Sequence, residues 1–350
     1  MKKKTLFTIL RRMLFVVLLL GTFLYVSLVF ERKTVYDSWN YTLKVNGFTN
    51  EPRNSFQMIG VGSSHMYCTM NPLAIYEHSG VRSYVLATQQ QPVEATYYYV
   101  KEAFASQKPD VVVLEAYMYL INDFVPPEGT LHDAVDPFPE GINKINMIRA
   151  LDPEDGKENY FMNFIKYHTR WKELSRADFD LSYRQKTDPM HGYVFLTDST
   201  PVDMVQQDYS EVEEVPLSAK NLEYLEKTIR LIREEGSEVL LLLTPYIPKG
   251  YSGQTKTLHR YAQEMGVALL DMNLCYDELG ICNMTDFYDK EHLNVYGAEK
   301  ASVYLADYVR QNFDISERDV SDDHLWNEDL KEYNAGKTSA EQSAEGEFIP

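Results

Sequence analysis

The sequence predicts an α/β protein in which a parallel sheet carries helices on both faces. Short apolar runs rich in β-branched residues alternate along the 350 residues with amphipathic stretches of helical period. Such alternation is typical of three-layer α/β/α folds, where each strand is covered on both sides and stays apolar throughout. The predicted strands are 57–61, 83–87, 111–115, 239–243 and 267–271, and the clearest helices are 92–106, 217–235 and 296–313.

The first 33 residues differ in charge from the rest of the chain. They carry seven basic side chains and one acidic one, whereas the whole chain has a net charge of −18 and the remaining residues therefore carry −24. Residues 13–30 contain no charge, a run longer than the roughly 7–15 residues of a signal-peptide core, and no small-residue cleavage site follows it. We predict an uncleaved single-pass anchor in the cell membrane. The basic flank places the N-terminus in the cytoplasm and residues 34–350 outside it.

Residues 34–55 are predicted to form a polar stalk, and residues 56–315 the folded domain. Prolines and aromatic helical segments interrupt the strand–helix rhythm over 117–207, which predicts a helical insertion that caps the carboxyl edge of the sheet. Residues 316–350 contain few apolar side chains, and beyond Ser316 there are ten acidic and three basic ones. This composition predicts a disordered or loosely packed tail.

Charge and cysteine usage exclude several kinds of function. A chain this acidic lacks the basic stripe that binding to nucleic acid requires. Cys68, Cys275 and Cys282 match no zinc pattern, and neither a metal nor a cofactor is predicted. In an oxidising exterior Cys275 and Cys282 could pair as a disulfide or remain free, and Cys68 is expected on a buried helix face.

Residues Met58 to His65 read Met-Ile-Gly-Val-Gly-Ser-Ser-His, an apolar strand that breaks at glycine into two serines. Gly60 and Gly62 allow a tight turn, after which Ser64 would lie at the N-terminus of a helix, an end that favours a developing oxyanion. Taken alone, the two serines could equally be helix caps.

Residues Asp289 to Gly297 read Asp-Lys-Glu-His-Leu-Asn-Val-Tyr-Gly. A serine nucleophile needs a neighbouring base and a third group that orients this base. Asp289 and His292, three residues apart, suit these two roles, because the carboxylate can hold one imidazole nitrogen while the other faces the serine. Each residue alone could be a turn former or a surface cap. In this order and context they predict a catalytic triad of Ser64, His292 and Asp289.

The two segments together resemble the SGNH (GDSL-like) hydrolase and acyltransferase superfamily. Gly62-Ser63-Ser64-His65 aligns with the Gly-Asp-Ser-Leu of that family, with Ser63 where aspartate usually stands. The resemblance covers residues 56–313 and is specific at its two ends. The Gly-Ser-Ser variant is similar to that of membrane-anchored cell-surface members, including the protein that transfers D-alanine to teichoic acids. The resemblance implies a flavodoxin-like parallel sheet with Ser64 as nucleophile.

In the family, a glycine after the second strand and a Gly-x-Asn-Asp after the third complete the oxyanion hole. The corresponding positions here hold Ala87 and the stretch from Glu115 to Tyr117, without glycine or asparagine. The candidate oxyanion donors are therefore Ser64, the backbone N–H of Ala87, and the side chain of Gln91. Glu115 and Tyr117, at the carboxyl edge of the sheet, are candidates for substrate binding.

These observations predict an extracytoplasmic serine enzyme that passes an acyl group through Ser64. If water accepts the acyl group, the protein is an esterase. If a hydroxyl of a cell-envelope polysaccharide or other polymer accepts it, the protein is an O-acyltransferase, and the resemblance implies acyl delivery by a multispanning membrane O-acyltransferase. The alternative is a non-catalytic glycan-binding or envelope-assembly protein, which the missing Gly-x-Asn-Asp favours and the complete triad opposes.

Overall fold

Five parallel strands form the centre of the computed structural model, which describes residues 3–33, 39, 41–153, 156–246, 250–317 and 323–347. The strand order is β2-β1-β3-β4-β5, the flavodoxin-like order, which confirms the predicted fold class. In this order the topology switches between β1 and β3, and ligands bind beyond the carboxyl ends of such strands. The strands are β1 (Met58–Gly62), β2 (Ser83–Ala87), β3 (Val111–Glu115), β4 (Glu238–Leu243) and β5 (Ala268–Asp271).

The strands form because their side chains are apolar on both faces, and every residue of β1, β2 and β3 is buried. One group of helices, α3, α4 and α15, packs together on the sheet, and a second group pairs α5 with α12. The α-helices are α1 (Lys3–Phe30), α2 (Tyr41–Asn50), α3 (Ser64–Thr69), α4 (Pro72–Ser79), α5 (Val93–Ser106), α6 (Tyr117–Leu120), α7 (Glu128–Val135), α8 (Ile142–Leu151), α9 (Glu158–Phe161), α10 (Asn163–Tyr167), α11 (Arg176–Phe179), α12 (Ala219–Glu234), α13 (Ser252–Met265), α14 (Tyr276–Leu279), α15 (Val295–Asn312) and α16 (His324–Glu347).

Helix α1 contains the apolar run. Within it Thr5–Phe30 is long and apolar enough to cross a membrane, by length and composition, and its side chains are almost all exposed. So little burial distinguishes α1 from the core helix of a folded domain.

The predicted stalk is partly wrong. Residues 34–38 and 40 lie outside the described residues, but α2 packs on β2 and buries Val45 and Phe48. The Phe48 ring lies edge-on to Tyr84 of β2, with ring centroids 5.1 Å apart. The polar composition of residues 41–50 does not predict this packing, since even a charged residue of α2 is buried. Lys44 is that residue, and its Nζ lies 4.4 Å from the centre of the Tyr67 ring.

The interruption predicted at 117–207 consists of the short helices α6–α11, two 3₁₀ turns (His168–Lys172 and Ser182–Gln185) and an extended segment that begins near residue 186. This segment hydrogen bonds to β2, α3 and the start of α15, with N···O distances of 2.8 to 2.9 Å. It thereby borders the turn that contains Ser64.

The prediction of a disordered or loosely packed tail is wrong for residues 324–347, which form α16. Residues 318–322 and 348–350 lie outside the described residues. Trp326 stacks on His191 with ring centroids 3.9 Å apart, and the buried Tyr333 hydroxyl bonds to Asn71 and Glu299. Trp326, Leu330 and Tyr333 follow helical spacing, so a few apolar residues on one face dock an otherwise acidic helix.

The possible disulfide is not formed. Cys275 and Cys282 are free thiols in this structure, and Cys68 is also free and, as expected, buried.

Candidate active site

The turn after β1 places Ser64 as the first residue of α3. Ser63 is the N-cap, and its Oγ accepts a hydrogen bond from the His65 backbone N–H at 3.3 Å. Gly62 is required here, because a Cβ at this position would lie 2.5 Å from Cβ of Glu115. The strand can therefore turn closely over β3 and present Ser64 at the carboxyl edge.

Glu115 stabilises this turn from the interior of the protein. The prediction that it binds substrate is therefore wrong. Its side chain is buried, and Oε2 accepts hydrogen bonds from the Ser63 N–H at 3.0 Å and the Ser63 hydroxyl at 2.8 Å. Oε1 accepts from the Tyr117 N–H. Burial raises the pKa of Glu115, and these three hydrogen bonds act in the opposite direction. The carboxylate of Glu115, on the neighbouring strand β3, therefore fixes the turn that carries Ser64.

The second segment forms a closed loop followed by a capped helix. Asn294 is the N-cap of α15, and its Oδ1 accepts from the Tyr296 and Gly297 N–H groups. Gly297 has no room for a Cβ, which would lie 2.3 Å from the Asp286 carbonyl oxygen. The sequence Leu-Asn-Val-Tyr-Gly therefore fixes the helix start directly after His292.

The loop brings the three predicted residues together. His292 Nε2 lies 2.8 Å from Ser64 Oγ, and His292 Nδ1 lies 2.9 Å from Asp289 Oδ1 and 3.0 Å from Oδ2. Asp289 Oδ1 also accepts from the backbone N–H groups of Glu291 and His292. The carboxylate is thus fixed by its own loop before it orients the imidazole. Ser64 and His292 are 228 residues apart in the sequence, and the fold brings them into contact.

Asp289 is held in its ionised form. Partial burial raises its pKa, but the hydrogen bonds and the charge of His292 outweigh this, and the pKa lies below its usual value. A carboxylate with this preference can stabilise a positively charged imidazole throughout the neutral range.

Aromatic side chains surround the imidazole. The Trp39 ring, which precedes α2, lies 6.5 Å from the His292 ring and 6.1 Å from the Tyr288 ring. His65 lies 5.5 Å from His292 and stacks on Tyr117 at 4.1 Å. Tyr117, predicted as a substrate-binding residue, therefore lies near the triad but is mostly buried behind His65. Trp39 and Tyr288 carry no motif, and only the fold reveals their position.

Tyr67 was also missed by the sequence reasoning. It follows Ser64 by three residues and so shares its side of α3. Its hydroxyl lies 3.0 Å from the Tyr41 hydroxyl of α2. Burial raises the pKa of Tyr67 well above its usual value, so the hydroxyl stays protonated. The three-residue spacing was the one available signal.

Two other oxyanion candidates have different outcomes. Ala87 ends β2 opposite Gly62, next to the turn, and stays a prediction. Gln91 is wrong as a side-chain donor, because it is fully buried and its Nε2 donates to Thr96 Oγ1 at 3.0 Å while its Oε1 accepts from Thr88. Its amide completes a local network at the start of α5.

Within the described part of the chain, no group of three His, Cys, Asp or Glu side chains could hold a metal ion.

The sheet order and the linked Ser64, His292 and Asp289 side chains define the class: a parallel α/β protein with a hydrogen-bonded Ser-His-Asp triad at the carboxyl edge of its sheet. No family model matches the chain, and no curated protein matches it. Among solved structures, it is similar to a protein assigned to the lipolytic G-D-S-L family from Desulfitobacterium hafniense, with 9% identity and a TM-score of 0.36 over 71% of this chain and 97% of that one.

Two further similar structures are esterase variants from Geobacillus stearothermophilus. An acetyl-xylooligosaccharide esterase has 12% identity and a TM-score of 0.34, and an acetylxylan esterase has 11% identity and a TM-score of 0.35. Each match covers 76% of this chain and 99% of the other.

Proposed function

We propose that this protein is a membrane-anchored, extracytoplasmic serine enzyme that transfers an acyl group through an ester on Ser64. The observation that supports this most strongly is the continuous line of hydrogen bonds from Ser64 Oγ through His292 to Asp289, at 2.8 and 2.9 Å. A binding module has no use for a serine aligned with a base that is itself oriented.

In the first half-reaction, Ser64 Oγ attacks the carbonyl carbon of an acyl donor and His292 Nε2 takes the hydroxyl proton. Asp289 stabilises the imidazolium through Nδ1–H. The oxyanion forms beside the N-terminus of α3, where the Ser64 backbone N–H and the Ala87 N–H are the proposed donors. The intermediate then collapses, and the leaving alkoxide takes the proton from His292.

In the second half-reaction, His292 removes a proton from the acceptor hydroxyl, whose oxygen attacks the acyl-Ser64 carbonyl. The intermediate collapses with release of Ser64 Oγ, which takes the proton back from His292. Water as acceptor gives esterase activity, and a sugar or polyol hydroxyl gives O-acyl transfer. We favour an acceptor in a cell-envelope glycan or other polymer, because a membrane span at Thr5–Phe30 would hold the site close to the outer face of that membrane. A multispanning membrane O-acyltransferase is the proposed acyl donor.

The direct test is the intact mass of the full chain in detergent after exposure to a serine-directed phosphonate. We expect one adduct on the native chain and on Ser79→Ala, a serine change on α4 away from the triad, and none on Ser64→Ala. If folded native protein forms no adduct, the non-catalytic alternative gains support.

The acceptor is tested separately. With a small activated acetyl ester as donor, the ratio of acetylated polyol to free acetate is measured at increasing polyol concentration. A ratio that rises without loss of total turnover supports a transferase, whereas a ratio near zero supports an esterase.

A further inference from the structure

The insertion (residues 117–207) packs against the C-terminal end of α1. The Phe164 ring of α10 lies edge-on to Phe23 and Phe30, at centroid distances of 5.5 and 5.6 Å. Arg170 Nη1 donates to the carbonyl oxygens of Phe30 and Glu31, each at 2.7 Å. A guanidinium on the last carbonyls of a helix is a favourable C-terminal contact, so the insertion is joined to the end of the helix by both apolar and polar contacts.

This contact sets the level of the insertion relative to the bilayer. Phe23 and Phe30 are seven residues apart, about 10 Å along a helix at 1.5 Å per residue. Phe164 contacts both rings and therefore lies beside the last two turns of the apolar run. Interfacial protein segments reach depths of about 5–10 Å, and Phe164 lies in this range if Phe30 marks the membrane surface.

Exposed apolar side chains are concentrated in the stretch 161–179, whose helices α10 and α11 both pack on α1. In residues 161–179, Trp171 is 63% exposed and Phe179 54% exposed, although a folded domain gains by burying such rings. The exposed apolar side chains of this stretch are Phe161, Met162, Ile165, Trp171 and Phe179. We call them the 161–179 patch.

The charge of this stretch has the opposite sign to that of the domain. Residues 161–179 contain four basic and two acidic side chains, whereas residues 34–350 carry −24 in total. Lys172 and Arg176 are exposed, and the Lys172 ammonium lies 5.2 Å from the Trp171 ring. Tryptophan beside lysine is the combination enriched where proteins meet lipid headgroups, and anionic lipid attracts the basic groups.

We infer that the 161–179 patch is a second membrane contact, which lies in the headgroup region of the outer surface beside the end of α1 and fixes the orientation of the domain. The inference rests on the proposed membrane span of Thr5–Phe30. Its partner is the phospholipid surface itself, recognised by inserted aromatic rings and by cations.

The test uses the full chain in nanodiscs of anionic phospholipid, with or without bromine atoms on the acyl chains close to the headgroup, which quench tryptophan in contact with them. The difference in emission between the native chain and Trp171→Phe isolates Trp171. We expect brominated lipid to remove most of this difference. The matched control is Trp326→Phe, because Trp326 is buried against His191 and its emission should not change with bromination.

Elution of the chain with the nanodiscs reports the span independently. If the chain elutes with the discs but Trp171 is not quenched, the span holds and the patch inference is overturned in favour of a protein partner. If the chain does not elute with the discs, both the span and the patch fail. Neither result bears on phosphonate labelling of Ser64, which tests the enzyme proposal.

Discussion

The strands of the sheet bury almost only apolar side chains, whereas the segments docked around the sheet bury charged ones. Within β1 and β3 the one buried charged group is Glu115, which serves the turn at Ser63. Around the sheet, the buried ionisable side chains include Lys44 of α2, His191 and Asp188 of the extended segment, and Asp323 before α16. Apolar burial does not depend on protonation, but the pairing of buried charges does.

The difference suggests a division of labour. The sheet and its carboxyl edge should hold the triad over a wide pH range, whereas the attachment of α2 and α16 should change with pH. His191 connects these two helices, because its Nε2 lies 3.1 Å from Asp329 of α16, its Nδ1 lies 3.8 Å from Glu51 after α2, and its ring stacks on Trp326.

The largest expected effect is at the sheet edge. Asp289→Asn keeps an oxygen for the Glu291 and His292 backbone N–H groups but turns an NH₂ group toward His292 Nδ1. The imidazole would then carry its proton on Nε2 and could not accept the proton of Ser64. We expect the acylation rate to fall by about 10³–10⁴-fold, measured as burst kinetics with an activated ester.

Thermal unfolding provides the control for this variant. The Asp289 side chain is 45% exposed, so its contribution to stability is screened, and the unfolding midpoint should stay close to that of Asp277→Asn on α14. If Asp289→Asn lost activity and stability together, the contrast between the sheet and the docked segments would fail. The carboxyl edge of the sheet would then also depend on a charged group for its folding.

The second prediction concerns the docked segments. Burial raises the pKa of Glu51 to about 7, with His191 acting in the opposite direction. Between the ordinary value of 4.5 and about 7 the folded chain holds a proton that the unfolded chain has lost, so stability falls as pH rises through this window. Glu51→Gln cannot ionise, and it should be more stable than the native chain at pH 8 by at most about 3 kcal/mol, with no difference near pH 4.5.

The measurement is the unfolding midpoint as a function of pH, with Glu223→Gln on the exposed face of α12 as a matched loss of one carboxylate. Parallel pH profiles for Glu51→Gln and Glu223→Gln would show that burial at Glu51 has no linked effect, and the contrast between sheet and docked segments would lose its main support.

The same contrast explains how much could be predicted from the sequence. Apolar runs such as Val111–Glu115 predict strands because their burial needs no partner of matched chemistry. Helices α2 and α16 were missed because their polar composition conceals a few apolar residues that need a particular surface. At the site, Ser64, His292 and Asp289 were predicted from turn and loop patterns. Trp39 and the carboxylate of Glu115 beneath Ser63 depend on contacts between distant segments, which carry no local signal, and Tyr67 had only its three-residue spacing from Ser64.

The smallest expected effect lies where the two regions meet. The Tyr67 hydroxyl pairs with that of Tyr41 on the docked helix, and Tyr67 lies one helical turn after Ser64, on the same side of α3. Tyr67→Phe removes this hydroxyl and keeps the ring, so we expect the acylation rate at saturating ester to fall about tenfold, on the order of one hydrogen bond, with KM unchanged.

Tyr41→Phe is the matched variant, because it removes the partner hydroxyl and leaves that of Tyr67 beside Ser64. If Tyr67 positions the nucleophile, Tyr41→Phe should have the smaller effect. Equal losses would mean that the hydroxyl pair acts only by holding α2 in place, and the docked helix would then belong to the active site as much as the sheet does.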